Sequence, residues 1–548
     1  MKKIISCLIL CAMLLSIIPM NVFAEGTQQV EINMSDYTPE SSDKTGKTYL
    51  VKSVADLEKF NTKSPHTNFK NATIKLMADI DYSGKTWTGI IFNGTFDGNG
   101  YTISNVTVGT CSTVGGMFRF AGGTIKNLTI NGLICNQSIG NVGGLVGSRA
   151  NGNVNISSLI IENVHIVNGD VSGTGDNVGG IIGTTSGNHS QNPNNTNYVK
   201  IVGSSYNGTV SGTKYVGGIV GDYSFVTHEE GLKIEGCSFT GNIGASGNGS
   251  GGIIGYALAD NLVISECFVN ASFSGAGNHK GGIMGRFAVN GGATATINNC
   301  VVKGSIVNSY YTTLRTGGII GYIYYDGMII NCNNVFVDME NTESLVTVLG
   351  FYHHSGGNGT GGKSSGNLTN VRYSEALAQT GKAAISTGIY DSCFTPTGTP
   401  TASADLSTYI YGYHDKTNDN GTANDKTDDT KDYRFIGVLN TETALENIKE
   451  LGFYVTVTMG NKSVTQKVTC ERVYTSVEGG GITYTVNGTE ADNVEVVDGN
   501  YLYVVELQEV PASYVIGTDF NVDITTYMVT GESDNLTYSY GAAYLPKN

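Results

Sequence analysis

Between residues 115 and 350 the chain sets its apolar side chains in short alternating runs, closed by glycine or asparagine. "IKNLTING" from residue 125, "IENVHIVNG" from 161, "IEGCSFTG" from 234, "ISECFVNA" from 264 and "INNCVVKG" from 297 all follow this form. A period of two predicts strands joined by turns, because successive strand side chains point to opposite faces, whereas a helix needs apolar residues three or four apart. Proline is nearly absent here, so the backbone N–H groups remain available for pairing.

A second pattern punctuates the first. Two glycines, two aliphatic residues and a glycine recur as Gly143–Gly147, Gly179–Gly183, Gly217–Gly221, Gly251–Gly255, Gly281–Gly285 and Gly317–Gly321, at spacings of 36, 38, 34, 30 and 36 residues. An incomplete copy starts at Gly115, and "TVLG" ending at Gly350 reads as a decayed one. A constant block at variable spacing implies stacked coils whose insertions enter loops. In such a stack each position forms a column at the ~4.8 Å strand spacing and must tolerate its own kind above and below. Leu128, Val164, Cys237, Cys267 and Cys300 are expected to share one column, the cysteines acting as small buried apolar residues. The block glycines are expected to allow positive φ and close approach of coils. Of the two aliphatics, one should face the core. The other column, Val146, Ile182, Val220, Ile254, Met284 and Ile320, should face outward, under an internal cover or as a partner surface.

These blocks resemble the GLUG motif, a short glycine-aliphatic repeat of bacterial cell-surface proteins that include adhesin-like proteins and some IgA-specific metallopeptidases. "LMADIDYSGKTW" at 76–87 and "FNGTFDGNGYTISNVTV" at 92–108 are similar to the segment preceding such repeats. The resemblance spans about residues 48–355 and implies an all-β fold, a right-handed parallel β-helix of the pectate-lyase-like kind. "SVADLEKFNTK" at 53–63 is then expected to form a short helix, with Val54, Leu57 and Phe60 on one face, capping the first coil. At the far end, "YIYYDGMIINC" and "LGFYHH" carry bulky aromatics suited to closing the core.

The rest of the chain divides by composition. Residues 1–24, with Lys2, Lys3 and an apolar run, match a cleaved secretory signal. A lead of 25–47 follows, then the β-helix over 48–395, an acidic linker over 396–431, and a Tyr-rich alternating module over 432–548. That module reads as a small β-sandwich-like domain. Asp415, Asp419, Asp425, Asp428 and Asp429 invite a calcium reading, but their order departs from D-x-D-x-D-G and a solvated linker is preferred. The end, "AAYLPKN", suggests a secreted chain held, if at all, non-covalently. No later stretch has the roughly 20 apolar residues of a membrane helix.

Charge and cysteine then exclude several chemistries. Only 14% of residues are charged and the net charge of -15 is spread thinly, so no basic patch offers itself to nucleic acid. Eight cysteines lie beyond the signal, none in a C-x-x-C pair, which favours free buried thiols over a metal site. "HEEGL" from His228 lacks the second histidine of H-E-x-x-H, so metallopeptidase chemistry is not expected, nor is any cofactor. Asp260 and Asp326 each fall five positions after a block, ~10 Å apart on stacked rungs, around the upper limit for an inverting glycosidase, and Arg286 belongs to the intervening copy, one position after its block rather than five. Both stand in ordinary turn settings. His353 and His354 read as capping residues.

The aromatics Tyr310, Tyr311, Tyr322, Tyr324 and Tyr325 cluster in the last full repeat, where they are suited to stack on sugar faces. The favoured expectation is therefore an exported adhesin-like protein, without catalysis of its own, that binds a host or cell-wall glycan or protein. A polysaccharide-processing β-helix enzyme and a self-associating structural surface protein are the alternatives.

Overall fold

The computed structural model describes residues 30–37, 46–62, 69, 71–149, 158–185, 198–224, 231–258, 260–288, 293–306, 316–324, 327–340, 349–352, 364–374, 394–398 and 400–403 of the repeat region. Beyond them it describes strands at 408–418, 430–439, 448–459, 462–469, 473–475, 485–486, 489–490, 501–511, 521–530 and 537–540. The chain forms two compact units, divided between Ala402 and Ser403. The signal expected at 1–24 lies outside the described residues.

The first unit is a parallel β-solenoid. A representative coil runs through Val199–Val202, Ser205–Gly212, Val216–Gly217 and Val220–Tyr223. Each strand pairs in parallel with its counterpart in the next coil, at Leu232–Glu235, Ser238–Ala245, Ser250–Gly251 and Ile254–Ala257. The short two-residue strands that end at the first glycine of each block form a separate six-stranded sheet along the solenoid. At the turn after the first strand, Asn127, Asn163, Gly203, Gly236, Glu266 and Asn299 all have positive φ between 51° and 60°. Asparagine tolerates this left-handed region better than most residues. It also links coils there, Asn163 Nδ2 donating to Asn127 Oδ1 at 3.2 Å.

Columns fill the interior. Ile125, Ile161, Ile201, Ile234, Ile264, Ile297 and Cys332 lie in register and are fully buried. Leu128 and Val164, and likewise Cys237, Cys267 and Cys300, form the expected second column, with Ser204 between the two groups. Ser204 fits a buried site because its hydroxyl donates to Val202 O at 2.9 Å and accepts from Val164 N. The thiols do the same: Cys267 and Cys300 donate to Ser265 O and Asn298 O, at 3.2 and 3.1 Å. Six cysteines, Cys111, Cys135, Cys237, Cys267, Cys300 and Cys332, are free and buried among the described residues. Cys393 and Cys470 lie outside them.

The block differs from its expected geometry in two ways. First, Gly179 ends one strand and Ile182 starts another, with a bend between them. The adjacent aliphatics straddle a corner, so strand alternation does not apply and both point inward. Leu145 with Val146, Ile181 with Ile182, and Ile283 with Met284 are all completely buried. The supposed outward stripe is core, and Ile181 O accepts hydrogen bonds from both Leu145 N and Val146 N. Second, no block glycine has positive φ. The constraint is space: a Cβ on Gly183 would stand 2.6 Å from the Val142 carbonyl carbon, and one on Gly179 would overlap Ile182 O.

Both solenoid ends extend past their expected limits. A helix, α1 (Val54–Thr62), buries Leu57 and Phe60 completely and packs Val54 partly, as its pattern predicts. Yet strand Val30–Asn33 already pairs with Lys47–Val51, so the helix follows the second paired strand rather than preceding the first. Phe60 joins Phe69, Trp87, Phe92 and Phe96 in an aromatic cluster. At the other end, strands Ser364–Ser374, Phe394–Thr397 and Thr401–Ser403 continue the stack past the aromatic segment expected to close it.

The second unit holds two four-stranded antiparallel sheets. Its central strand Ile448–Met459 buries Phe453, Val455 and Val457, beside Val522 and Ile524 of Asn521–Thr530. The region expected as a linker is shorter than 396–431. Thr408–Asn418 and Thr430–Leu439 pair antiparallel within this unit, since "TYIYGY" is made of strand-forming residues despite the acids that follow. Asp419, Asp425, Asp428 and Asp429 lie outside the described residues.

Candidate functional site

Two neighbouring columns on the solenoid concentrate aromatic and cationic groups. The residue immediately after each block's last glycine is Ser148, Thr184, Asp222, Tyr256, Arg286 and Tyr322 in turn, and these stand in register. The residue two before each of the first five blocks is Asn141, Asn177, Tyr215, Gly249 and His279, all with positive φ, and the sixth, Arg315, lies outside the described residues. The block glycines bring the columns together. A Cβ on Gly255 would fall 2.4 Å from the Tyr215 carbonyl carbon, and one on Gly321 would fall 2.7 Å from that of His279. The strand carrying Tyr256 thus lies directly against the turn carrying Tyr215, and Tyr322's strand against His279's.

The rings follow the backbone. Tyr215 and Tyr256 stack at 4.2 Å with 17° between planes, and His279 stacks on Tyr322 at 3.9 Å and 3°. In the coil between, the turn residue is Gly249, which offers no side chain, and the register position is Arg286. Its guanidinium carbon lies 4.6 Å from the Tyr324 ring centroid, 5.3 Å from Tyr256 and 5.8 Å from Tyr322. All three distances fall within the ~6 Å reach of a cation–π contact. Tyr215, Tyr256, Arg286 and Tyr324 are half-buried, and Tyr322 and His279 are buried.

Charge along the ridge is uneven. Asp222, one coil before Tyr256, is buried and accepts from Thr184 Oγ1 at 2.7 Å and Ser224 Oγ at 2.6 Å. Burial raises its carboxyl to about 6 despite those bonds. Arg149, also buried, donates from Nε toward Thr185 O, and desolvation lowers its pKa. Lys280 follows His279 but points inward, fully buried, with Nζ donating to Gly275 O at 2.8 Å; burial lowers it to about 8. The ion pairs among the described residues are Lys85–Glu58, Lys126–Asp97 and Lys214–Asp176, so Arg286 has no carboxylate partner there.

Of the five tyrosines singled out from the sequence, Tyr322 and Tyr324 meet on this ridge, 5.9 Å apart. Tyr310, Tyr311 and Tyr325 lie outside the described residues, as do Asp326, His228, His353 and His354. Asp260 is exposed, and its carboxylate accepts from the backbone N–H groups of Asn261 and Thr294, at 2.7 and 2.6 Å. The first bond is local and the second ties the turn to the next coil, so the carboxylate is engaged structurally. Tyr215, Tyr256 and His279 were missed because they come one per coil, and Arg286 stood out only beside Asp260 and Asp326, not beside the tyrosines. Reading the single position after each block would have aligned Tyr256, Arg286 and Tyr322.

Neither a protein-family model nor a curated protein matches the chain. Among solved structures it is similar to the crystal structure of a putative immunoglobulin A1 protease from Bacteroides ovatus, at 21% identity and a TM-score of 0.36, covering 49% of this chain and 77% of that one.

Proposed function

We propose that the chain is an exported, adhesin-like binding protein of the GLUG-repeat type, without catalysis of its own, whose solenoid presents the Tyr215–Tyr324 ridge to a glycan. One observation carries the reading: aromatic rings and one arginine occupy consecutive coils of the same two columns. Rungs repeat at ~4.8 Å, so the coils that carry the half-buried Tyr256 and Tyr324 stand ~10 Å apart, a span suited to the rings of a saccharide. Aromatic faces with a few fixed polar groups are a common lining for ligand sites.

Backbone conformation supports the same ridge. Tyr215 and His279 adopt φ of 56° and 60°, where earlier coils use Asn141 and Asn177. Histidine is tolerated in this region, but a bulky residue such as Tyr215 costs of order 1–3 kcal/mol there, and such strain gathers at functional sites. Self-association through the aliphatic stripe loses support, since those side chains are buried in the core. Asp260, with its carboxylate engaged by backbone, gives a glycosidase reading little to rest on.

The test is retention of the purified protein on an array of host and bacterial glycans and matrix proteins, with products analysed from the glycan wells. Retention on a glycan without cleavage, weakened about tenfold or more by Tyr256→Ala or Tyr324→Ala, is expected, since aromatic residues of this kind are enriched among binding hot spots, whose truncation costs about 2 kcal/mol or more. Cleaved glycan, or retention indifferent to both variants, overturns the proposal.

A further inference from the structure

The ridge is not uniform, and its exception points to a ligand class. Arg286 occupies a column position that the coils on either side give to Tyr256 and Tyr322. Its Nε is buried and has no hydrogen-bond partner among the described residues. A guanidinium carries five N–H donors in a planar fork, and the usual fate of a partly buried one is a carboxylate partner. Here the described neighbours are three aromatic rings, which attract the cation from its faces but accept no in-plane hydrogen bond. Gly249, at the facing turn, adds no side chain, while Tyr215 and His279 fill the equivalent places in the coils on either side.

We infer that Arg286 receives the carboxylate of an acidic saccharide whose neighbouring rings lie along the half-buried Tyr256 and Tyr324. The inference rests on the glycan reading above and narrows it. A carboxylate matches the guanidinium fork bidentately and supplies in-plane acceptors, which tyrosine rings do not. Aromatic residues one coil to either side suit sugar faces flanking an acidic unit. The protein's net charge of -15 does not forbid an anion, because charges farther away than the ~8 Å Debye length are largely screened at physiological salt. Asp222 lies two register positions from Arg286 and is buried against hydroxyl groups, so it does not neutralise the guanidinium directly.

The experiment is calorimetric titration of the protein with tetragalacturonate, a hyaluronan hexasaccharide and sialyllactose, each beside its carboxyl-reduced counterpart, and with chitotetraose as a neutral probe. At least one acidic probe is expected to bind, with its reduced form about tenfold weaker or more. Arg286→Gln should erase that preference. Arg286→Lys, which keeps the charge and the stem, should weaken the acidic probe about three- to tenfold by losing the fork. Circular dichroism of each variant verifies folding, and the lysine variant decides the matter if the glutamine variant does not fold. Equal binding of acidic and reduced forms, or binding of chitotetraose alone, overturns this inference and leaves the glycan reading standing. Binding of no saccharide overturns both, and a preference that survives Arg286→Gln places the acidic site elsewhere and overturns the inference.

Discussion

Lys280 occupies a position that earlier coils give to Val142, Val178, Val216 and Ser250. Its ammonium sits in the solenoid wall with Gly275 O as an acceptor, and burial lowers its pKa from 10.5 to about 8. The folded state therefore releases this proton at lower pH than the unfolded chain does. Between pH 8 and 10.5 the unfolded chain holds more protons, so stability rises with pH across that window. Below pH 8 both states are charged and the destabilisation is complete; above 10.5 it is absent. Lys280→Val should then stabilise the solenoid at pH 7 by about 1–3 kcal/mol, allowing for water reaching the ammonium. Urea midpoints measured at pH 7 and 10.5 check this: the gap between variant and wild type should shrink at the higher pH. A gap that is constant with pH would mean that packing, not the charge, sets the difference.

At the scale of the block, the decisive residues are the glycines at the corner. A Cβ on Gly183 would meet backbone of Val142 at 2.6 Å and Gly147 O at 2.7 Å, atoms that belong to neighbouring paired coils and have little freedom to yield. Gly244, on a strand of the same solenoid, would set its Cβ 3.3 Å from Ser211 Cβ and 3.6 Å from Ser274 Oγ. Gly183→Ala is expected to cost about 3 kcal/mol or more, and Gly244→Ala about 1 kcal/mol or less. Amide hydrogen exchange should show faster opening around Val142 and Val178 in the first variant alone; equal effects would deny the corner its special role. The repeat was legible in the sequence because stacking demands like residues at like positions, and six block copies expose that demand. The inward turn of both aliphatics was not, since alternation holds only within a strand and nothing in Gly-Gly-Ile-Ile-Gly marks where one strand ends. The cysteine column was read correctly apart from Ser204, whose hydroxyl finds its partners only once the coils are stacked. Tyr322 and Tyr324 were legible as clustered aromatics. Arg286 and Tyr256 were not, because coil register, rather than nearness in sequence, joins them to the site.

For the whole molecule, the question is whether the solenoid's stability resides in its own coils. Each coil pairs with the coil before and after it, so stability is approximately a sum over coils and their interfaces. The aromatic cluster under α1 covers one end within the first unit, and the last paired strands reach Ser403. A chain ending after Ala402 should therefore retain the folded solenoid. The buried thiols offer a direct readout. Cys237, Cys267 and Cys300 stack in consecutive coils, and burial pushes Cys135 and Cys332 up to about 12, so thiolate is scarce at neutral pH. In the shortened chain these five thiols, with Cys111, should stay unreactive toward a disulfide reagent in native buffer and react on adding denaturant, at the same urea concentration as in the full chain. Native reactivity at Cys300 and Cys332 but not at Cys135 would show that the later coils depend on residues beyond 402. Reactivity at all six would show that the repeats do not hold their own core, and would remove the basis for treating the ridge as a rigid platform.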